Sequence, residues 1–254
     1  MNLTSLCYWW PRIHDLGIPV PRTEIVLLPQ PTSAAVAAMT CVVHPGNHDV
    51  ESPSCETELS RMEPELRAAG ERIGYPLFLR TDMLSGKHSY RDTCLVPEAD
   101  ALWDHVFRLA EEHEMALWLE RDNDLTAFIF RELIDLNSRF TAFQDFPIAP
   151  ERRYFIKDGS VVCHHPYWFE DVIKGNFWQQ QEEPKNWRRD LRHMSKEGQS
   201  EIATLSAYAR QVAAALPGEW SVDFALTRAG EWYLIDMAIA ARSWHPRECL
   251  KYIP

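Results

Sequence analysis

Asp158-Gly159 sits between two apolar runs, Arg153 to Lys157 and Val161 to His164. An Asp-Gly pair tolerates left-handed backbone at both corners of a two-residue turn, so the runs fold back as an antiparallel hairpin. A second hairpin is predicted from Trp220 to Thr227 and Glu231 to Asp236, with Gly230 in its turn. Strands joined this way build antiparallel sheets. They do not build the regular strand–helix–strand alternation of a dinucleotide-binding fold. No GxGxxG sequence and no glycine-lysine phosphate loop occurs.

The remaining elements are mixed. Glu24 to Leu28 reads as a strand stopped by Pro29 and Pro31, and Leu77 to Arg80 and Thr93 to Val96 as two more. Thr126 to Ile134 is an apolar, aromatic strand. Helices are predicted over Glu56 to Ala69, stopped by Gly70, and over 98–114 after Pro97, where Leu102, Val106, Leu109 and Ala110 repeat at helical spacing. A third runs from Glu201 to Leu216 and stops at Pro217-Gly218. Residues 1–23, rich in Pro and aromatics, read as extended or irregular, 40–54 as loop, and 179–199 as a loop or short helix. The pattern is α+β.

The chain has 254 residues, 46% of them apolar, with ten tryptophans, so it can bury a real core. Its net charge of −11, from 37 acidic and 26 basic residues, argues against broad nucleic-acid or anionic-membrane binding. A local basic cleft for phosphates remains compatible with that balance. The six cysteines show no CxxC spacing and read as reduced thiols in a cytoplasmic protein, although an even count leaves disulfides open. There is no signal peptide pattern and no run of about 18 apolar residues that would cross a membrane.

Two carboxylates carry the sharpest physical argument. If the last hairpin has a four-residue loop, 228–231, then Thr227 faces Trp232 and Asp223 lies opposite Asp236. Opposed residues have Cβ atoms roughly 5 Å apart, so the pair repels unless a cation lies between. Mg²⁺ suits such a pair, because it binds one or two carboxylates plus phosphates and water. A register slip of one residue would instead send the side chains to opposite faces.

Arg80, Lys87 and Arg153 are phosphate candidates or ordinary surface cations. Arg80 ends its strand, Lys87 follows Ser85-Gly86 in a loop, and Arg153 shares a strand face with Phe155. Glu132, Leu133 and Asp135, at the end of the strand Phe128 to Ile134, fit an adenosine site or the solvated end of a core strand. His44, His48 and Asp49, and the pair His164-His165, make a poor zinc case: no cysteine stands at ligand spacing, and adjacent strand residues face opposite ways. Arg188, Arg189, Arg192 and Lys196 surround Trp187 as a solvated loop or as a flap over an anionic substrate. No activated nucleophile is evident.

Read in order, these phrases resemble the ATP-grasp superfamily. Gly17-Ile18-Pro19-Val20-Pro21-Arg22-Thr23 matches its opening phrase. Gly74 to Arg80 matches its "GYPVVVK" strand, with Arg for Lys, and Ser85-Gly86-Lys87 its glycine loop. Arg131-Glu132-Leu133-Ile134 matches the adenine segment. Glu151, Arg153, Phe155 and Asp158-Gly159 match one hairpin, and Val222-Asp223-Phe224 with Ile235-Asp236-Met237-Ala238 match the last. The similarity covers about 17–245 and is greatest to small bacterial and phage-type members.

The resemblance implies two α+β lobes gripping ATP, and a carboxylate–amine ligase that works through an acylphosphate and releases ADP and phosphate. It implies phosphate binding by Arg80, Lys87 and Arg153, adenosine binding by Glu132, Leu133 and Asp135, and Mg²⁺ at Asp223 and Asp236. Arg242 is placed to hold a substrate carboxylate. Small-molecule or peptide acids and amines are the expected partners. The implied domains are an N-terminal segment 1–72, a small lobe 73–125 and a large lobe 126–254. Ala238 replaces a usual metal-binding Asn, and Asp236 a usual Glu. An ATP-binding protein without ligase activity, a phosphotransferase to a hydroxyl and an interaction protein are the alternatives.

Overall fold

A computed structural model describes residues 2–29, 54–117, 125–175, 183–246 and 249. His44, His48 and Asp49 lie outside them. The chain forms two compact units, one of residues 22–133 and one of residues 3–21 with 134–254.

The first unit is built on a four-stranded antiparallel sheet. Its strands are β1 (Thr23–Leu27), β2 (Leu77–Thr81), β3 (Leu95–Val96) and β4 (Ala127–Glu132), in the order β1-β4-β2-β3. Val26, Leu77, Leu79, Phe128 and Phe130 project from one face. Two helices cover them, α2 (Ser54–Ile73) and α3 (Leu102–Leu117). Met62, Leu66, Ala69 and Ile73 of α2, and Leu102, Val106, Leu109 and Ala110 of α3, recur at helical spacing and close the core.

Gly70 does not stop α2. The helix runs on to Ile73, and a Cβ on Gly70 would lie 2.2 Å from the Tyr75 hydroxyl. Its role is to admit the tyrosine ring. The stop is Gly74, at φ +87°, whose N–H bonds back to the Gly70 carbonyl at 2.8 Å.

In the second unit β7 (Glu151–Lys157), β8 (Ser160–Pro166), β9 (Glu219–Leu226) and β10 (Trp232–Ile239) form an antiparallel sheet, ordered β10-β9-β7-β8. The short strands β5 (Phe140–Ala142) and β6 (Phe146–Ile148) pair separately. Asp158 and Gly159 take positive φ in the two-residue turn that joins β7 to β8. After α4 (Glu170–Lys174) and α5 (Trp187–Met194), α6 (Gln199–Ala215) packs on the Tyr154 and Phe224 face of the sheet, with Tyr208 against Phe224.

Residues 6–13 are helical, not extended. Leu6, Trp9, Trp10 and Ile13 are buried at i, i+3, i+4 and i+7, and the Ser5 hydroxyl caps α1 (Leu6–Ile13) at the Cys7 N–H. Pro11 obscures this in sequence but removes one bond of the helix. Trp187, Leu191 and Met194 form one buried stripe along α5, while Arg188 pairs with Glu170 and Glu183, and Arg189 with Asp190. That segment is a packed amphipathic helix.

Asp82, fully buried after β2, accepts the Thr126 hydroxyl at 2.7 Å and the Thr126 N–H at 3.1 Å. It also accepts the Ala127 N–H at 3.4 Å. Asp82→Ala strands these donors, and the expected cost is about 2–4 kcal/mol in urea unfolding. A loss below about 0.5 kcal/mol would show the anchor to be redundant.

Candidate functional site

The central face of the second sheet carries one polar row across all four strands. Arg153 on β7 pairs with His165 on β8 and with Asp223 on β9, and Asp223 pairs with Asp236 on β10. Directly paired residues share a face. The next row on that face is Cys163, Phe155, Ser221 and Ala238.

The expected Asp223–Asp236 pairing is present, but the register that produces it differs from the sequence count. Trp232 faces Leu226, not Thr227, because Thr227 and Glu231 close the turn together. That lengthens the loop by one residue. A bulge at Ile235 then restores the phase, so Asp236 still meets Asp223. A second bulge, at Val162, turns Cys163 and His165 onto the Arg153 face.

Arg153 is the cation between the carboxylates. Its Nε and Nη2 donate to the two oxygens of Asp223 at 2.8 and 2.7 Å, and its Nη1 donates to the Trp244 carbonyl at 3.3 Å. Its guanidinium lies 4.6 Å over the Tyr167 ring. Burial favours loss of its charge, but Asp223, and then Tyr167 and Asp236, outweigh burial and raise its pKa. Asp236 is half-buried and accepts the Met237 N–H at 3.0 Å.

His165 is buried at the other end of the row. Its Nδ1 donates to the Pro166 carbonyl at 2.8 Å. Burial pushes the imidazole down to about 4 against the pull of that carbonyl, and the charges of Arg153 and His245 push the same way. His165 is therefore neutral at physiological pH. His164, on the opposite face, bonds Glu197 and stacks on Tyr154.

The other expected residues are dispersed. Arg80, buried in the first unit, donates through Nε to the Thr81 carbonyl at 3.1 Å. Arg131, also buried, lies diagonally across from it on the sheet face away from α2 and α3, a second buried cation that sequence reasoning reads only as part of an adenine segment. Lys87 begins a short 3-10 turn after Gly86. That loop is pinned: the Thr93 hydroxyl reaches the Gly86 carbonyl at 2.6 Å, and the Ser89 hydroxyl donates to Glu112 at 2.8 Å.

Glu132 is already engaged. It accepts the Arg22 N–H and Nε, each at 2.9 Å. Leu133 is the last residue of the first unit. Asp135 is exposed and paired with Arg228 at 3.1 Å. Arg242 is exposed in the 3-10 turn Ala240–Arg242. A cleft of about 420 Å³, lined by Glu201, Thr204, Tyr208 and Trp232, lies on the α6 side of the sheet, away from the carboxylate row. Among the described residues no helix is long and apolar enough to cross a membrane.

An ATP-grasp domain family, the third of its clade, matches residues 65–251. The C-terminally truncated Cdc123 of Schizosaccharomyces pombe is similar in structure: TM-score 0.54, 10% identity, 93% of this chain and 83% of that one. The RimK domain protein ATP-grasp of Sphaerobacter thermophilus DSM 20745 gives a TM-score of 0.44 at 14% identity, over 95% of this chain and 60% of that one. D-alanyl-alanine synthetase A of Vibrio cholerae O1 biovar eltor gives 0.45 at 12%, over 94% and 55%. No curated protein is significantly similar in sequence.

Arg153→Met leaves the buried Asp223 charge without its partner, and the expected loss is about 3–5 kcal/mol of unfolding free energy. The double variant Arg153→Met/Asp223→Leu is expected to lose less than the sum of the single changes, with a coupling of about 1–3 kcal/mol. Additive losses would show that the pair contributes no mutual stabilisation.

Proposed function

The chain belongs to this third clade family of ATP-grasp domains, and we propose on that premise that it is an ATP-dependent carboxylate–amine ligase. In this reading a substrate carboxylate oxygen attacks the terminal phosphorus of ATP, and ADP leaves. An amine then attacks the carbonyl carbon of the acylphosphate, and phosphate leaves. The observation that carries the reading is the Arg153–Asp223–Asp236 row, with two carboxylates and a buried cation on one sheet face.

The donor set fits magnesium. It is all oxygen, and a carboxylate offers about four lone pairs, so Asp223 keeps some after its two bonds from Arg153. Asp223 and Asp236 would hold the ion, which when bound neutralises phosphate charge. Ala238 adds no ligand. Arg153 retains two N–H groups beyond the three it uses, and these would hold a phosphoryl oxygen. Arg80 and Lys87 would bind phosphate as well. Glu132, Leu133 and Asp135 would serve adenosine, and Glu132 would do so while bound to Arg22. Arg242 would hold the acid substrate, a small molecule or peptide.

A second reading, ATP binding without ligation, draws on Ala238 and on the bidentate hold of Arg153 upon Asp223. Release of ADP only when an acid and an amine are both present separates the two. Under the ligase reading, MgATP at about 100 times its Kd stabilises the fold by roughly 2.7 kcal/mol. Asp236→Asn, a change at a half-buried edge, is expected to leave the unliganded melting temperature in place and abolish the magnesium-dependent part. Release of AMP, or no thermal shift at millimolar ATP, would overturn the proposal.

A further inference from the structure

On the same sheet face as the polar row, beside His165, three potential ligands converge. The Cys163 and Cys249 sulfurs and a His245 ring nitrogen all lie within 4.8 Å of one another. Both cysteines are reduced thiols. Cys163 is two residues before His165 on β8, and the Val162 bulge turns both to this face. His245 and Cys249 follow the turn Ala240–Arg242, four residues apart. In sequence the constellation is C-x-H followed, 80 residues on, by H-x-x-x-C.

The two imidazoles are oriented alike. Each histidine precedes a proline, and each donates Nδ1–H to that proline's carbonyl, His165 at 2.8 Å and His245 at 3.1 Å. A carbonyl partner on one ring nitrogen fixes the tautomer and leaves the other nitrogen as a lone-pair donor, the usual arrangement for a metal-bound histidine. The Nε2 of His245 lies 3.2 Å from the Cys163 sulfur, so the thiol proton sits between sulfur and nitrogen. The Nε2 of His165 is buried, with no hydrogen-bond partner among the described residues. The two ring centres are 5.5 Å apart at 88°. Imidazoles sharing one tetrahedral zinc through Nε2 have ring centres roughly 5 Å apart, from Zn–N bonds of about 2.0–2.1 Å.

We propose that Cys163, His245 and Cys249 bind a soft divalent transition metal of the zinc class, with His165 next in line for the fourth position. In a tetrahedral site, sulfur and nitrogen ligands lie roughly 3.5–3.8 Å apart, from bonds of about 2.3 and 2.0–2.1 Å. The 3.2 Å separation of Cys163 and His245 therefore has to open only slightly as the metal replaces the thiol proton. The site differs chemically from the all-oxygen Asp223–Asp236 pair, because thiolate and imidazole select zinc over magnesium.

The test is a titration of the reduced full chain with Co²⁺ as an optical probe, followed by Zn²⁺ competition against a chromophoric chelator. The proposal predicts thiolate-to-cobalt charge-transfer absorption, tetrahedral visible bands and about one zinc per chain. Cys249→Ser, at a half-buried position near the end of the described chain, is expected to weaken binding by at least roughly 100-fold and to reduce the charge-transfer band. Cys7→Ser and Asp236→Asn are expected to leave both unchanged. Absence of thiolate absorption in the wild-type chain would overturn the site. So would zinc binding indifferent to Cys249→Ser, or a Cys163–Cys249 disulfide whose reduction does not bring metal binding.

Discussion

Arg153 and Asp223 hold the second sheet in its functional form. Both side chains are buried, and neither charge is tolerable there alone. Bidentate bonding at 2.8 and 2.7 Å gives each the partner that burial demands. Because the residues are directly paired across β7 and β9, the ion pair also fixes the register of the two central strands. A slip of one residue would place the arginine and the carboxylate on opposite faces and leave both charges unpaired. His165 and Asp236 take their positions at the ends of the row from that register.

Two bulges do the remaining alignment. One at Ile235 compensates for the longer turn of the last hairpin, and one at Val162 shifts the outer half of β8. Each inserts one residue, and with a side-chain period of two each moves the residues beyond it to the other face. Without them Asp236 would leave the row, and Cys163 and His165 would face α6 instead of the C-terminal segment.

The hairpins, most strands and the covering helices are legible in the sequence because local chemistry dictates them. Asp158-Gly159 marks a two-residue turn whatever surrounds it, and the spacing of Leu102, Val106 and Leu109 buries one face of a helix. The Asp223–Asp236 pairing is legible only because two errors in the count cancel, since a bulge leaves no compositional trace at Ile235. The helix at 6–13 escapes sequence reasoning although 6, 9, 10 and 13 carry the right period, because Pro11 outweighs it. Gly70 reads as a stop, whereas its missing side chain serves the Tyr75 ring. The engagement of Glu132 by Arg22 and the convergence of Cys163 with His245 join residues 110 and 82 apart, beyond the reach of any local pattern.

The thiolate–imidazole cluster and the carboxylate row share one mechanical element. Trp244 offers its carbonyl to Arg153, and the next residue, His245, is a ligand of the proposed metal. This segment follows the last strand and has no sheet partner among the described residues. Its position rests on aromatic contacts, Phe169 against Trp244 at 4.1 Å and Phe155 against His245 at 4.6 Å, and on these polar bonds. A metal joining His245 and Cys249 to β8 would fix the segment to the sheet at two points, as structural zinc fixes loops in folds without a large core. The Trp244 carbonyl would then be held against Nη1, which restricts the guanidinium to its Asp223-bound orientation. In that arrangement a soft-metal site that touches no substrate sets which of the Arg153 N–H groups remain for a phosphoryl oxygen.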